Sequence, residues 1–331
     1  MNIKKIGLTA LAASLVSVSA NAGELSVAGS ASMTMEGYTG ENLNGGTGFS
    51  MGNQVTMSGS GELDNGMTVS LSFVLDQGDD GNTVGASSTN KIGGTAPFDS
   101  HSVKVSSDAL GTLTFAGEGG SSAASSIDTS AAGDIWDTFD GTRGTAAAVA
   151  VSDSAPGDNS LFYTLPSIMD DLTVNLSYKP QGSGAESATG WGVAYSGVEG
   201  LTAKYAVTDV ETGATGTSGD QSAYSLSYAY GPVTASVSNS DYDVGTSTSD
   251  QELSSYAISY TVSDEISVTY GTEDIEKGGS TTDAEYNVIS ASYTAGGMTI
   301  SAAMKEGENV AHGTGSNEDF EYWSLGASFA F

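Results

Sequence analysis

From Glu24 onward the chain alternates apolar and polar residues in one short segment after another. Tyr224, Leu226, Tyr228 and Tyr230 interleave with Ser225, Ser227 and Ala229, Leu172, Val174, Leu176 and Tyr178 with Thr173, Asn175 and Ser177, and Ile266, Val268 and Tyr270 with Ser267 and Thr269. A period of two belongs to the β-strand, whose side chains point alternately to opposite faces. Each segment therefore has one apolar face and one small, polar face. The pattern predicts sixteen strands, at 24–37, 48–61, 66–77, 99–107, 111–118, 159–166, 171–180, 189–197, 201–210, 221–230, 232–242, 251–262, 265–275, 284–294, 298–308 and 319–331. Most match the length of a tilted membrane-crossing strand, about 9–11 residues. In the fourteenth, the parity of Tyr286 and Val288 conflicts with that of Ile289, Ala291 and Tyr293, which predicts a bulge or a misplaced strand end.

The connections carry a second signal. Every other one is short: 62–65, 107–110, 166–170, 198–200, Gly231, 263–264 and 295–297. The rest are longer and rich in Gly, Ser, Thr, Asp and Asn: 38–47, 77–98, 118–158, 181–188, 211–220, 243–250, 276–283 and 309–318. Bacterial transmembrane barrels alternate short periplasmic turns with long outer loops in this way, whereas a soluble β-sandwich has no reason to. The fold expected is all-β, a sixteen-stranded antiparallel transmembrane barrel. Sixteen strands enclose a lumen too wide for apolar side chains to fill. The apolar faces must therefore meet lipid while Ser, Thr, Lys and Glu line a wet channel. Closure satisfies every backbone N–H and C=O within the bilayer.

The N-terminus reads as an export signal. Lys4 and Lys5 precede an apolar run over 6–18 and the small residues Ala20-Asn21-Ala22, so cleavage is expected after Ala22, with residues 23–331 forming the barrel. The apolar run is too short for a membrane helix, which needs about 20 residues. Cysteine is absent, which argues only against a small disulfide-stapled scaffold. The formal charge of −31 makes nucleic acid and anionic lipid poor partners. High polarity and charge could suit a disordered chain, but the strand periodicity argues otherwise.

The last segment alternates Trp323, Leu325, Ala327, Phe329 and Phe331 with Ser324, Gly326, Ser328 and Ala330, and the chain stops at Phe331. That ending, the opening Gly23-Glu24-Leu25-Ser26-Val27-Ala28-Gly29, the strand count, the signal and the long connection after the fifth strand together resemble the general porins of alphaproteobacteria. The resemblance covers the mature chain in layout and is weak in local motifs. It implies a homotrimer in the outer membrane, each subunit with its own water-filled pore for passive diffusion of ions and small hydrophilic solutes. It also implies that the third long loop, 118–158, folds into the lumen as a constriction, and that Phe331 is the signal read by the barrel assembly machinery.

On that reading Asp128, Asp134, Asp137 and Asp140, with the lone Arg143, form the acidic side of the constriction. The apolar run 146–151 within the loop either packs on the barrel wall or forms an extra strand. With Val103 and Val105 outward, Lys104 faces in, and the same parity places Lys179, Lys204 and Lys305 on the pore wall. Porins of the family tend to oppose an acidic loop with an arginine-rich wall. A single arginine departs from that pattern and predicts a weaker transverse field, a negative lumen and cation preference. Tyr38 is the only tyrosine between Gly23 and Ser160, whereas fourteen follow from Leu161 onward. Tyrosine anchors barrels at lipid interfaces, so the first five strands are expected to pack on neighbouring subunits.

Three other functions have some support in the residues. A Ser-His lipase site would have only His101 and His312 to draw on. A calcium-binding adhesin finds support in Asp76, Asp79 and Asp80, but the spacing is not that of an EF-hand and no nonapeptide repeat occurs. Incidental calcium on acidic outer loops fits better, with no other cofactor expected. A substrate-specific channel would need aromatic or paired charged groups along the lumen, which the sequence alone does not place.

Overall fold

Alternating segments of this kind leave each strand with unpaired backbone groups on both edges, and the chain satisfies them by closing on itself. The computed structural model describes residues 25–39, 46–76, 99–139, 157–180, 186–212, 219–243, 248, 250–313 and 319–331. Among them are sixteen strands: β1 (Ser26–Thr39), β2 (Gly46–Glu62), β3 (Thr68–Asp76), β4 (Ser100–Ser107), β5 (Gly111–Glu118), β6 (Ser160–Thr164), β7 (Leu172–Lys179), β8 (Glu186–Tyr195), β9 (Leu201–Thr212), β10 (Gly219–Tyr230), β11 (Val233–Asp243), β12 (Gln251–Thr261), β13 (Ile266–Lys277), β14 (Ala284–Ala295), β15 (Met298–Glu308) and β16 (Phe320–Ala330). Each lies within three residues of its expected bounds. Sequence neighbours pair antiparallel, and β1 pairs with β16 to complete a closed barrel without a free edge. The signal segment and the run 146–151 lie outside the described residues.

The barrel is inverted relative to a soluble one. Val27, Met33, Leu71, Val103, Phe115, Tyr178, Tyr224 and Ile258 are exposed on the outer face, while Ser177, Thr208, Gln221, Ser238, Ser255 and Glu273 are buried inside. The bulge expected in β14 does not occur. Its register with β13 and β15 runs unbroken from Glu285 to Tyr293, and Tyr286 and Val288 simply face inward, fully or almost fully buried. The irregularity lies elsewhere, between His101 and Ser102 of β4, where Glu118 and Ala116 of β5 are the partners and Gly117 is the extra residue.

The seam joins the two ends of the barrel. Gly29 N–H donates to the Phe331 carbonyl at 2.7 Å, and Phe331 N–H returns the bond to the Gly29 carbonyl at 3.0 Å. The Phe331 ring lies over the space that a Gly29 side chain would take.

Two turn glycines separate backbone conformation from crowding. Gly66 has φ +79° with open space around it, whereas Gly111 has φ +74° and a Cβ there would stand 2.7 Å from Pro166 N and 2.8 Å from the Leu165 carbonyl carbon. A left-handed conformation costs an L-residue about 1–2 kcal/mol. Gly66→Ala is therefore expected to lose about that much in reversible urea unfolding from lipid vesicles. Gly111→Ala is expected to lose clearly more, because the obstructing atoms are main chain and cannot swing aside.

Candidate pore constriction

Residues 119–139 leave β5 and run along the inside of the barrel. The sequence of this stretch is dominated by Ser, Ala and Gly, so its main chain can approach the wall closely. Its N–H groups donate to inward side chains in order around the circumference. Ala123 bonds Ser177 Oγ of β7 at 2.9 Å and Ala124 bonds Thr208 Oγ1 of β9 at 3.0 Å. Ala131 bonds Ser238 Oγ of β11 at 2.7 Å and Ala132 bonds Ser255 Oγ of β12 at 3.0 Å. Glu273 of β13 accepts the Trp136 N–H at 3.0 Å and the Ser130 hydroxyl. Ala132 also lies over Gly271, where a Cβ would come within 2.6 Å of the alanine's own. Over 119–139, the described part of the third long connection, orphan backbone donors are thus paired with small hydroxyl side chains of the wall.

Its far end is held by apolar packing. The 3-10 turn Ile135–Phe139 buries Ile135 and Phe139 against Leu253, Ile275, Tyr286, Val288, Val310 and Phe320. The Phe139 and Tyr286 rings stack with centroids 5.6 Å apart. Full burial of such side chains contributes about 1.5–3 kcal/mol each. Tyr38 OH donates to the Thr138 carbonyl at 2.8 Å, which carries the attachment across to β1. Tyr38 is thus an inward clamp and not a lipid anchor. Beside it, the Tyr322 hydroxyl donates to Glu36 at 2.7 Å.

The expected site residues divide accordingly. Asp128 accepts from Gln221 Nε2 at 3.0 Å, Asp134 accepts the Ser130 N–H at 3.0 Å, and Asp137 is exposed. Lys104, Lys179 and Lys204 share the inward parity. Lys305 shares it too, but lies half-buried beside the loop, bonded to Thr138 Oγ1 and 5.8 Å from the Tyr322 ring centroid. Asp140 and Arg143 lie outside the described residues, as do Asp79, Asp80 and the side chain of Asp76. Among the described residues no group of three or more His, Asp or Glu could hold a metal ion. His101 stacks on Phe73, and its Nδ1 is 3.9 Å from Glu118. The His312 ring lies 3.1 Å from the Thr282 carbonyl, and burial holds it below the ordinary imidazole value of 6.5.

The wall residues that grip the loop were not singled out by sequence reasoning. The break in parity at Tyr286 and Val288 was their visible trace: apolar side chains appear on the inner face where the loop covers it. Much of the negative charge is also placed differently from expectation. On β9 to β16 carboxylates line the outer face at the loop-side strand ends, paired across strands as Asp209, Asp220 and Asp243, as Asp241, Glu252 and Glu276, and as Asp274, Glu285 and Glu308. Glu306 and Glu321 continue the row toward β1. The lysines of the described strands all take the opposite, inward parity.

Removing the two chief anchors of the loop's far end tests its role. The double substitution Tyr286→Ala with Glu273→Gln is expected to raise single-channel conductance and current noise, because an aromatic truncation in a packed cluster costs about 3–5 kcal/mol locally. The barrel itself is expected to remain folded, read from its resistance to unfolding in cold detergent.

The profile of Gram-negative porins matches residues 7–331. No curated protein sequence matches the chain significantly. Among solved structures, an engineered variant of the Rh. blastica porin is 17% identical, with 93% of this chain and 100% of that one aligned at a TM-score of 0.64. The anion-selective porin from Comamonas acidovorans is 14% identical, with 93% and 99% aligned at a TM-score of 0.63. At these identities the likeness shows the shared barrel. Together with the profile match over nearly the whole length, it establishes that the chain belongs to the Gram-negative porin family.

Proposed function

We propose that this porin is a general diffusion channel that favours cations and works as a homotrimer. Its place in the outer membrane and its passive, non-enzymatic character follow from the family. Ion preference does not, since the porin from Comamonas acidovorans with the same fold is anion-selective. The observation that carries cation preference is the placement of carboxylates around the mouth. Asp209, Asp220, Asp241, Glu252, Glu285 and Glu321 are exposed on the outer face of the loop-side rim without an ion pair among the described residues, and Asp137 is exposed on the inward segment. A rim of one sign raises the local concentration of counter-ions.

The outer face itself supports the trimer. Tyrosines and rim carboxylates crowd β9 to β14, while β1 to β5 present Val27, Gly29, Ala31, Met33, Val55, Leu71 and Val103 outward. A face without anchoring tyrosines or repelling carboxylates suits contact with further copies. The seam geometry of Phe331 is compatible with its recognition by the assembly machinery, and any calcium on the outer loops is incidental to this reading.

The test is the zero-current potential in a KCl gradient across a planar bilayer. The sign of cation preference is expected, in channels that open in steps of three. Because the charge sits at the mouth, the preference should fade as the Debye length falls from about 10 Å at 0.1 M salt to about 3 Å at 1 M. An anion-selective sign at 0.1 M overturns the proposal.

A further inference from the structure

Among the described residues the inward segment bonds to the wall from β7 round to β1, whereas the lumen wall of β3 to β6 meets only its start. There the inner faces of four strands meet the start of the loop around a cavity of about 320 Å³. Cross-strand register places Ser72 beside Ser102, Lys104 beside Thr114, and Thr114 beside Phe162. All have the parity opposite to outward Leu71, Val103 and Phe115, so the cavity opens to the lumen. Glu118, Ser121 and Ser126 close it from the loop side.

Three features of this cavity bear on what it can hold. Lys104 is exposed and has no hydrogen-bond or ion-pair partner among the described residues. Phe162 is a large apolar side chain lining the cavity among serines, a threonine, the small Ala116 and charged groups. Glu118 supplies a carboxylate on the same cavity, 3.9 Å from the His101 ring across the Gly117 bulge.

We propose that this cavity is a solute subsite for small zwitterions with an apolar side chain, α-amino acids among them. The solute carboxylate meets Lys104, its ammonium faces Glu118, and its side chain lies on Phe162. A simple anion would be opposed by Glu118 and a simple cation by Lys104, while a sugar would leave the lysine unsatisfied. The volume matches the lower bound of ligand pockets, about 300 Å³, which fits a solute of amino-acid size. The subsite deepens the channel reading and rests on it, since it acts on solutes already inside the lumen.

The experiment is titration of the KCl current through the inserted full chain with phenylalanine at pH 7, with glycine and glucose as comparison solutes. Phenylalanine carries no net charge, so a fall in current reports occupancy of the bore. A saturable fall is expected with phenylalanine and a weaker one with glycine, while glucose lowers the current only in step with viscosity. Lys104→Gln and Phe162→Ala, each normalised to its own KCl current, should each raise the half-saturating concentration by about tenfold, the effect of losing one charged or apolar contact. If Phe162→Ala does not insert, Phe162→Ser and Lys104→Gln carry the same test. Equal, unsaturated falls with all three solutes overturn the subsite, as does saturation that these substitutions leave unchanged. Absence of KCl current from inserted protein overturns the channel reading, and the subsite with it.

Discussion

Everything in this molecule depends on one requirement: backbone N–H and C=O groups in hydrocarbon must find partners within the protein. Antiparallel pairing meets it along each strand, and the β1 to β16 pairing meets it at the ends. The two bonds between Gly29 and Phe331 extend the seam to the last residue. Closure at sixteen strands then dictates the rest, because so wide a cylinder cannot be filled by its own side chains. The apolar faces turn to lipid, and the inner face is left to hydroxyls, lysines and water.

A wet lumen creates a second accounting problem, and the inward segment 119–139 shows how it is solved. A loop entering the barrel brings its own backbone donors into a crowded, partly dry space. Here they are met by Ser177, Thr208, Ser238, Ser255 and Glu273, small or acidic acceptors on consecutive parts of the wall. Hydrogen bonds set the path of the loop, while the cluster around Ile135, Phe139 and Tyr286 anchors its far end. The resulting asymmetry has a functional side. On the covered wall Glu273 and Lys305 are bonded to the segment, whereas among the described residues Lys104 and Phe162 on the wall of β3 to β6 are not.

The strand layout was legible because lipid outside and water inside impose a strict period of two on most of the chain. The segments over β10, β12 and β13 show it residue by residue. The count of short and long connections was legible for the same reason. Legibility failed where a third environment intruded. Beneath the inward loop the inner face becomes apolar, so Tyr286 and Val288 read as an error in phase when they were a contact surface. Apart from Glu273, the wall residues that accept the segment's backbone amides are ordinary serines and a threonine, and nothing in a strand so rich in them marks the few that bind. Net charge misled in a similar way. It counts carboxylates without saying which face they occupy, and many of them stand on the outer rim and not in the lumen.

The central claim is that residues 119–139 are fastened to the inner wall by their backbone amides. Amide hydrogen exchange of the refolded protein in detergent micelles or vesicles tests it directly. The account predicts that Ala123, Ala124, Ala131, Ala132 and Trp136 exchange slowly, with protection approaching that of the strands they touch. Exchange at these amides as fast as in an unstructured loop would contradict it, and would leave the segment unattached to the wall.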